Sequence, residues 1–100
     1  MGSCDAIIVG AGVIGCSLAR RLAGRSARVC LIDRAAPGQE ASHAAAGMLA
    51  PSAEAEVPSP FFAFALASRR KYPAFATELF DETGIDPQYR EEGTLLPFTS

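Results

Sequence analysis

The run Ala6-Ile-Ile-Val-Gly-Ala-Gly-Val-Ile-Gly15, followed downstream by Asp33, constrains this chain more than any other stretch. It reads as a strand, a glycine turn, a helix, a second strand and an acid at that strand's end. Those are the parts of a dinucleotide-binding βαβ unit. Gly10 suits the tight turn out of the strand. Gly12 removes a Cβ where the backbone approaches a diphosphate, and Gly15 lets the helix lie close to the strand. The first amides of the helix have no internal acceptor, and the helix dipole favours an anion beside them. Asp33 is placed to accept hydrogen bonds from ribose hydroxyls and would repel a 2′-phosphate.

A bare G-x-G-x-x-G carries little weight, but its context here adds a good deal. Apolar residues Ala6 to Val9 precede the glycines. Ile14, Leu18 and Leu22 follow at helical spacing, and Gly24 stands where a C-terminal glycine is expected, with Arg20, Arg21 and Arg25 nearby. Val29 to Ile32 reads as a second buried strand. The alternative is an ordinary βαβ crossover with incidental glycines; motif and context together favour the nucleotide.

Composition narrows the remaining classes. The 100 residues allow one modest domain, whereas a complete dinucleotide domain needs more strands. The expectation is therefore that residues 1–100 form the N-terminal portion of a single nucleotide-binding domain, without its substrate domain. The apolar fraction of 49% suits a parallel sheet covered by helices. A net charge of −2 with no basic stripe argues against nucleic acid as a partner. Cys4, Cys16 and Cys30 are odd in number, form no CxxC, and read as small apolar residues in a reducing compartment. No run is long enough to span a membrane, and no basic segment precedes the first apolar run as in a signal peptide. The cytoplasm is the expected location.

Along the chain, residues 4–9 and 28–32 read as strands and 13–23 as the helix between them. The segment 34–58 matches no regular element and is rich in small residues, fit for close approach to a backbone or a ligand, or else a plain connector. Within it Ser42 is placed to cap a short turn over 43–46 that ends at Gly47. Ser59-Pro60 opens a helix with a hydroxyl cap and a proline in the first turn. Pro73 predicts a kink or two helices near Tyr72, and Gly84 a stop. The aromatics of this stretch read as core packing, and Arg69 to Lys71 as a solvated patch. Residues 92–98 read as an edge strand because of Pro97.

The stretch beyond Asp33 carries a resemblance. The pair Asp33-Arg34, the glycine at 38, Ala41-Ser42 and Ala44-Ala-Ala-Gly-Met-Leu-Ala-Pro51 are similar to the N-terminus of the D-amino-acid oxidase-like, FAD-dependent oxidoreductase (DAO) family. Leu66-Ala-Ser-Arg-Arg-Lys-Tyr-Pro73, Glu82-Thr-Gly-Ile-Asp86 and Gly93-Thr-Leu95 extend the match over nearly the whole chain, most like the glycine-oxidising branch that serves the thiazole part of thiamine biosynthesis. The resemblance implies an α/β fold, the βαβ part of a Rossmann-like FAD-binding domain of the glutathione-reductase type, incomplete in this chain. It implies that Gly10, Gly12, Val13, Ile14 and Gly15 face the FAD diphosphate, that Asp33 holds the adenosine ribose, and that Arg34 lies beside it. Ala41 and Ser42 would approach the diphosphate. Ala46, Gly47 and Met48 would lie along the ribityl chain and the flavin ring, Met48 having a core role as its rival.

Three positions depart from the branch's usual pattern: Ala11 where glycine is frequent, Asp33 where glutamate is commoner, and His43 where a larger aromatic is frequent. The implied reaction is oxidative deamination of glycine or a related small amino acid or amine, with molecular oxygen as acceptor and hydrogen peroxide as product. No catalytic or metal-ligating residue is matched in this chain, and a homo-oligomer is left open. Two alternatives stand beside this reading: another flavoprotein of the family, such as a sarcosine or D-amino-acid oxidase or a dehydrogenase, or a non-catalytic nucleotide-binding fragment. A protein ending at Ser100 would hold little FAD.

Overall fold

A computed structural model describes residues 2–99. The chain forms two compact units, Met1–Gly47 and Met48–Ser100.

The first unit is built on strand β1 (Ala6–Val9), helix α1 (Val13–Ala23) and strand β2 (Val29–Ile32). The strands pair in parallel, with Ala6 opposite Val29 and Val9 opposite Ile32, and α1 makes the crossover. Parallel pairing demands such a crossover, which places α1 against the sheet. One turn of helix, α2 (Ala41–Ala44), ends the unit.

The start of the parallel pair is clasped by Asp5 and Arg28. Asp5 Oδ2 accepts the Arg28 amide at 2.8 Å, the Asp5 amide donates to the Arg28 carbonyl at 2.8 Å, and the guanidinium reaches Asp5 Oδ1 at 3.2 Å. The Arg28 side chain and amide hold the Asp5 carboxyl below its ordinary range. A carboxylate whose pKa is lowered by folding stabilises above its unfolded value, about 4, and loses that effect as pH falls through the folded value. The melting temperatures of wild type and Asp5→Asn are therefore expected to differ at neutral pH and to converge below about pH 4. A gap unchanged down to acid pH would assign the clasp no ionic role.

The sheet differs from the expectation of buried strands. Alternate residues Ala6 and Ile8 of β1 are half-buried, while Ile7 and Val9 are 66% and 85% exposed. A two-stranded sheet with one helix covers one face only. The helix face also differs. Ile14 and Leu18 are 82% and 48% exposed, whereas Gly15, Ala19 and Leu22 are half-buried. The half-buried face thus holds the small residues Gly15 and Ala19 together with Leu22, and at Gly15 α1 comes close to β1. Ala11, 2% exposed, is the buried residue of this unit among the described residues.

Gly24 keeps right-handed helical geometry at φ −64°, and the left-handed turn after α1 falls on Ser26 at φ 64°. Ser42 sits inside α2 and does not cap it; Glu40 holds the cap position, with no side-chain bond to the helix amides. Cys4 is exposed, and Cys16 and Cys30 are half-buried; all three are free thiols.

The second unit contains α3 (Pro51–Glu54), α4 (Pro60–Arg69) and α5 (Tyr72–Thr83). The single turn α3 packs on α4 and was not foreseen in the sequence. Ser59 Oγ accepts the Phe62 amide at 3.0 Å and its hydroxyl donates to the Glu56 carbonyl at 2.6 Å, so the cap and the proline behind it start α4 as expected. Pro73 divides α4 from α5, and Gly84 stops α5 in the left-handed region at φ 70°. Tyr72 stacks on Tyr89 and meets Phe75 edge-on, while Phe61 and Phe64 stand 67% and 72% exposed. Residues 92–98 do not form the expected strand: no partner strand pairs with them among the described residues. No helix of the described residues is long and apolar enough to cross a membrane.

Candidate functional site

The glycine turn between β1 and α1 is held from three directions. At its entry the Gly10 amide donates to the Ile32 carbonyl at 2.7 Å, and Gly10 takes φ +105°, which a side chain would disfavour. At its centre the Ala11 amide donates to Asp33 Oδ2 at 2.7 Å. The Ala11 carbonyl accepts the Gly38 amide at 2.8 Å and the Cys16 thiol at 3.4 Å. At its exit the Val13 amide donates to Ser42 Oγ at 2.8 Å.

These bonds use the amides of residues 10, 11 and 13. The amides of Gly12, Ile14 and Gly15 meet no protein acceptor among the described residues, as the first turn of a helix requires. A hydroxyl that accepts from Val13 keeps its own proton to donate. The turn, α2 and the loop through Gly38 enclose an open cleft of ≈ 480 Å³, lined in part by Ala11, Gly12, Val13, Gly38, Ser42 and His43. The cleft lies at the positive end of α1, its lining includes Gly12, whose amide is open, and the Ser42 hydroxyl, and it includes no carboxylate. The cleft therefore fits a diphosphate.

The glycines show why side chains are missing. A Cβ on Gly15 would drive into the Gly10 carbonyl oxygen and lie 3.4 Å from Ile8 Cγ2. A Cβ on Gly12 would lie 2.9 Å from Ser42 Oγ.

Asp33 is half-buried, and both of its oxygens are engaged: Oδ2 by the Ala11 amide and Oδ1 by the Ala35 amide at 2.9 Å. These backbone donors, Ala11 first, hold its carboxyl below the ordinary carboxylate range. It therefore stays ionised through neutral pH. Arg34 turns to Glu40, with Nη2 at 3.0 Å from Oε1, on the surface.

Of the residues singled out in the sequence, Gly10, Gly12, Val13, Ile14, Gly15, Asp33 and Ser42 come together at the start of α1. Ala41 lies beside Ser42 on α2, and Ala46 and Gly47 follow that helix. Met48, 68% exposed, belongs to the second unit. The sequence reading missed two members of the constellation, the Ala11 peptide and Gly38. The glycine at 38 was visible in the sequence, and it takes φ +75°, but its contact with Ala11 is long-range.

A larger groove of ≈ 640 Å³ lies in the second unit against α5. Its lining includes Pro73, Phe80, Pro87 and Tyr89, and its Glu91 accepts the Tyr89 hydroxyl at 2.8 Å. It offers no convergent amides and no glycine cradle, so the cleft at α1 is the stronger candidate.

Comparison with known proteins places the chain in a family. The DAO family model, described as FAD dependent oxidoreductase, matches residues 5–100. Glycine oxidase of Geobacillus kaustophilus (strain HTA426) is 44% identical over 91 residues, which is 91% of this chain and 24% of the relative. Glycine oxidase of Bacillus licheniformis is 40% identical over 91 residues, 91% of this chain and 25% of the relative. The crystal structure of glycine oxidase from Geobacillus kaustophilus superposes with a TM-score of 0.79 at 46% identity, over 83% of this chain and 22% of that one. The chain thus spans about a quarter of the length of these relatives. With a parallel βαβ unit, a glycine turn at the start of its helix and a family match along nearly its whole length, the chain belongs to the FAD-dependent oxidoreductase (DAO) family.

Proposed function

We propose that this chain supplies the diphosphate-binding part of an enzyme that oxidises glycine, or a related small amino acid or amine, in the manner of its glycine oxidase relatives. The observation that carries the reading is the set of amides at Gly12, Ile14 and Gly15, held open by bonds from Asp33 and Ser42 to the amides between and beside them. FAD, when bound, supplies the ring system that accepts hydride from the substrate α-carbon and passes the electrons to oxygen, giving an imine and hydrogen peroxide.

The residues of this chain bind and orient. The amides of Gly12, Ile14 and Gly15 and the Ser42 hydroxyl would hold the diphosphate, with Gly10 and Val13 setting the turn and Ala41 close by. Asp33 has lone pairs left for a ribose hydroxyl, with Arg34 beside it bracing the 34–40 loop through Glu40. Ala46, Gly47 and Met48 would follow the cofactor toward its ring. A relative named bifunctional protein ThiO/ThiG, from Synechocystis, is 41% identical over 95 residues, and supports a place beside thiazole assembly in thiamine biosynthesis. A cytoplasmic location accords with three free thiols.

The test is purification of the natural polypeptide carrying this sequence, followed by an assay for flavin and for peroxide. The expected result is bound FAD and peroxide formed faster with glycine than with sarcosine or D-alanine. FAD without peroxide from any of the three, but with electrons passed to a quinone, would replace the oxidase by a dehydrogenase. A purified protein holding NAD and no flavin would overturn the reading altogether.

A further inference from the structure

We propose that Asp33 is a positioning residue that organises the diphosphate cradle through the Ala11 peptide, independently of any ribose it touches; the inference rests on the FAD reading. An acid whose only role was to receive a ribose would stand clear of protein donors. Asp33 does not. Its Oδ2 takes the Ala11 amide at 2.7 Å and its Oδ1 the Ala35 amide at 2.9 Å. The first bond spans 22 residues and reaches from the end of β2 to the middle of the glycine turn.

The Ala11 peptide is the hub of that turn. It is 2% exposed, and its carbonyl is held by Gly38 and Cys16 while its amide is held by Asp33. Fixing the Ala11 peptide plane fixes the direction in which the chain enters Gly12 and α1. The free amides of Gly12, Ile14 and Gly15 point where that entry sends them. Without Asp33, a nearly buried N–H would lose its ionised acceptor, and the turn would have to open to find water. A diphosphate would then have to order the turn as it binds, which weakens affinity without removing a single ligand contact.

Asp33→Asn separates this role from ribose binding. Its amide group still gives and accepts hydrogen bonds with a hydroxyl, but one of its two arms is a donor facing a backbone N–H. The flavin-free natural polypeptide and its Asp33→Asn variant would be titrated with FAD and with an FAD analogue lacking both adenosine ribose hydroxyls. The expected loss is about tenfold for FAD and the same factor for the analogue. A loss seen with FAD and absent with the analogue would reduce Asp33 to a ribose ligand and overturn the proposal.

Hydrogen exchange of the ligand-free proteins gives a readout that needs no flavin. Exchange at Ala11 is expected to speed up in Asp33→Asn while Leu18 and Leu22 within α1 stay as they are. General loss of stability would speed all three, and an unchanged Ala11 would overturn the proposal. If the wild type bound neither FAD nor its analogue, the FAD reading would fall and this exchange result would still decide the role of Asp33. If Asp33→Asn did not fold, the Ala11 amide resonance of the wild type would be followed through acid titration. It should move with the Asp33 carboxyl, and a resonance indifferent to it would overturn the proposal.

Discussion

Gly15→Ala is expected to cost more than any other single methyl group added to this chain. The new Cβ points at the Gly10 carbonyl oxygen and lies 3.0 Å from its carbonyl carbon. Both are backbone atoms at the end of β1, pinned by the Gly10–Ile32 bond at 2.7 Å, so neither can swing aside as a side chain does. Relief requires α1 to lift from the sheet. That movement separates the half-buried face of Gly15, Ala19 and Leu22 from the strands and tilts the amides at the start of α1. Overpacking of this kind costs about 3 kcal/mol, and a tilted cradle transmits a similar penalty to the ligand. An affinity for FAD about a hundredfold lower is expected, together with a lower melting temperature. Flavin titration and thermal unfolding check the two effects. Wild-type affinity in Gly15→Ala would mean that α1 does not approach β1 as closely as described.

The parts of this fold legible in the sequence are those whose signals are local. Ser59-Pro60 starts α4, Pro73 ends its continuity and Gly84 stops α5, because a cap, a missing N–H and a left-handed glycine each act within a turn. The β1–α1–β2 order was legible because the glycines and the apolar runs agree on it. The same local logic failed at Gly24, where Ser26 takes the left-handed turn, and at 92–98, where strand-like residues have no described strand to pair with. It also failed for the packed face of α1. Of Ile14, Leu18 and Leu22, only Leu22 is half-buried, and Gly15 takes the place against β1, where a Cβ would meet the Gly10 carbonyl.

At the site, the structure adds bonds that the sequence did not suggest. Asp33 and Ser42 were expected beside a ligand, and Ser42 also as a cap of the turn over 43–46. In the structure each accepts an amide of the glycine turn, at sequence separations of 22 and 29. Hydrogen bonds of that span depend on how the loop after β2 folds back over the turn. No pattern in the sequence encodes that return path.

The role of Gly12 separates these views most sharply, and Gly12→Ala is expected to be rescued by Ser42→Ala. The sequence motif explains Gly12 by the approach of a diphosphate. In the structure the direction of its missing Cβ is toward Ser42 Oγ, 2.9 Å away, with Ser42 Cβ at 4.0 Å. Gly12→Ala therefore pushes the hydroxyl off the Val13 amide and crowds the start of α1. A cost of about 2 kcal/mol, or about thirtyfold in FAD affinity, is expected from crowding plus the lost bond. Ser42→Ala removes the hydroxyl alone, for about 1 kcal/mol, or about fivefold. Independent effects would multiply to about 150-fold in the double variant. Because the clash lies with the hydroxyl oxygen, and Ser42 Cβ stands at ordinary contact distance, the double variant should instead return to about the fivefold loss of Ser42→Ala. Flavin fluorescence titration of the four proteins measures the coupling directly. A double variant as weak as the product of the singles would show that the Gly12 Cβ collides with the diphosphate and that Ser42 plays no part in keeping this position glycine.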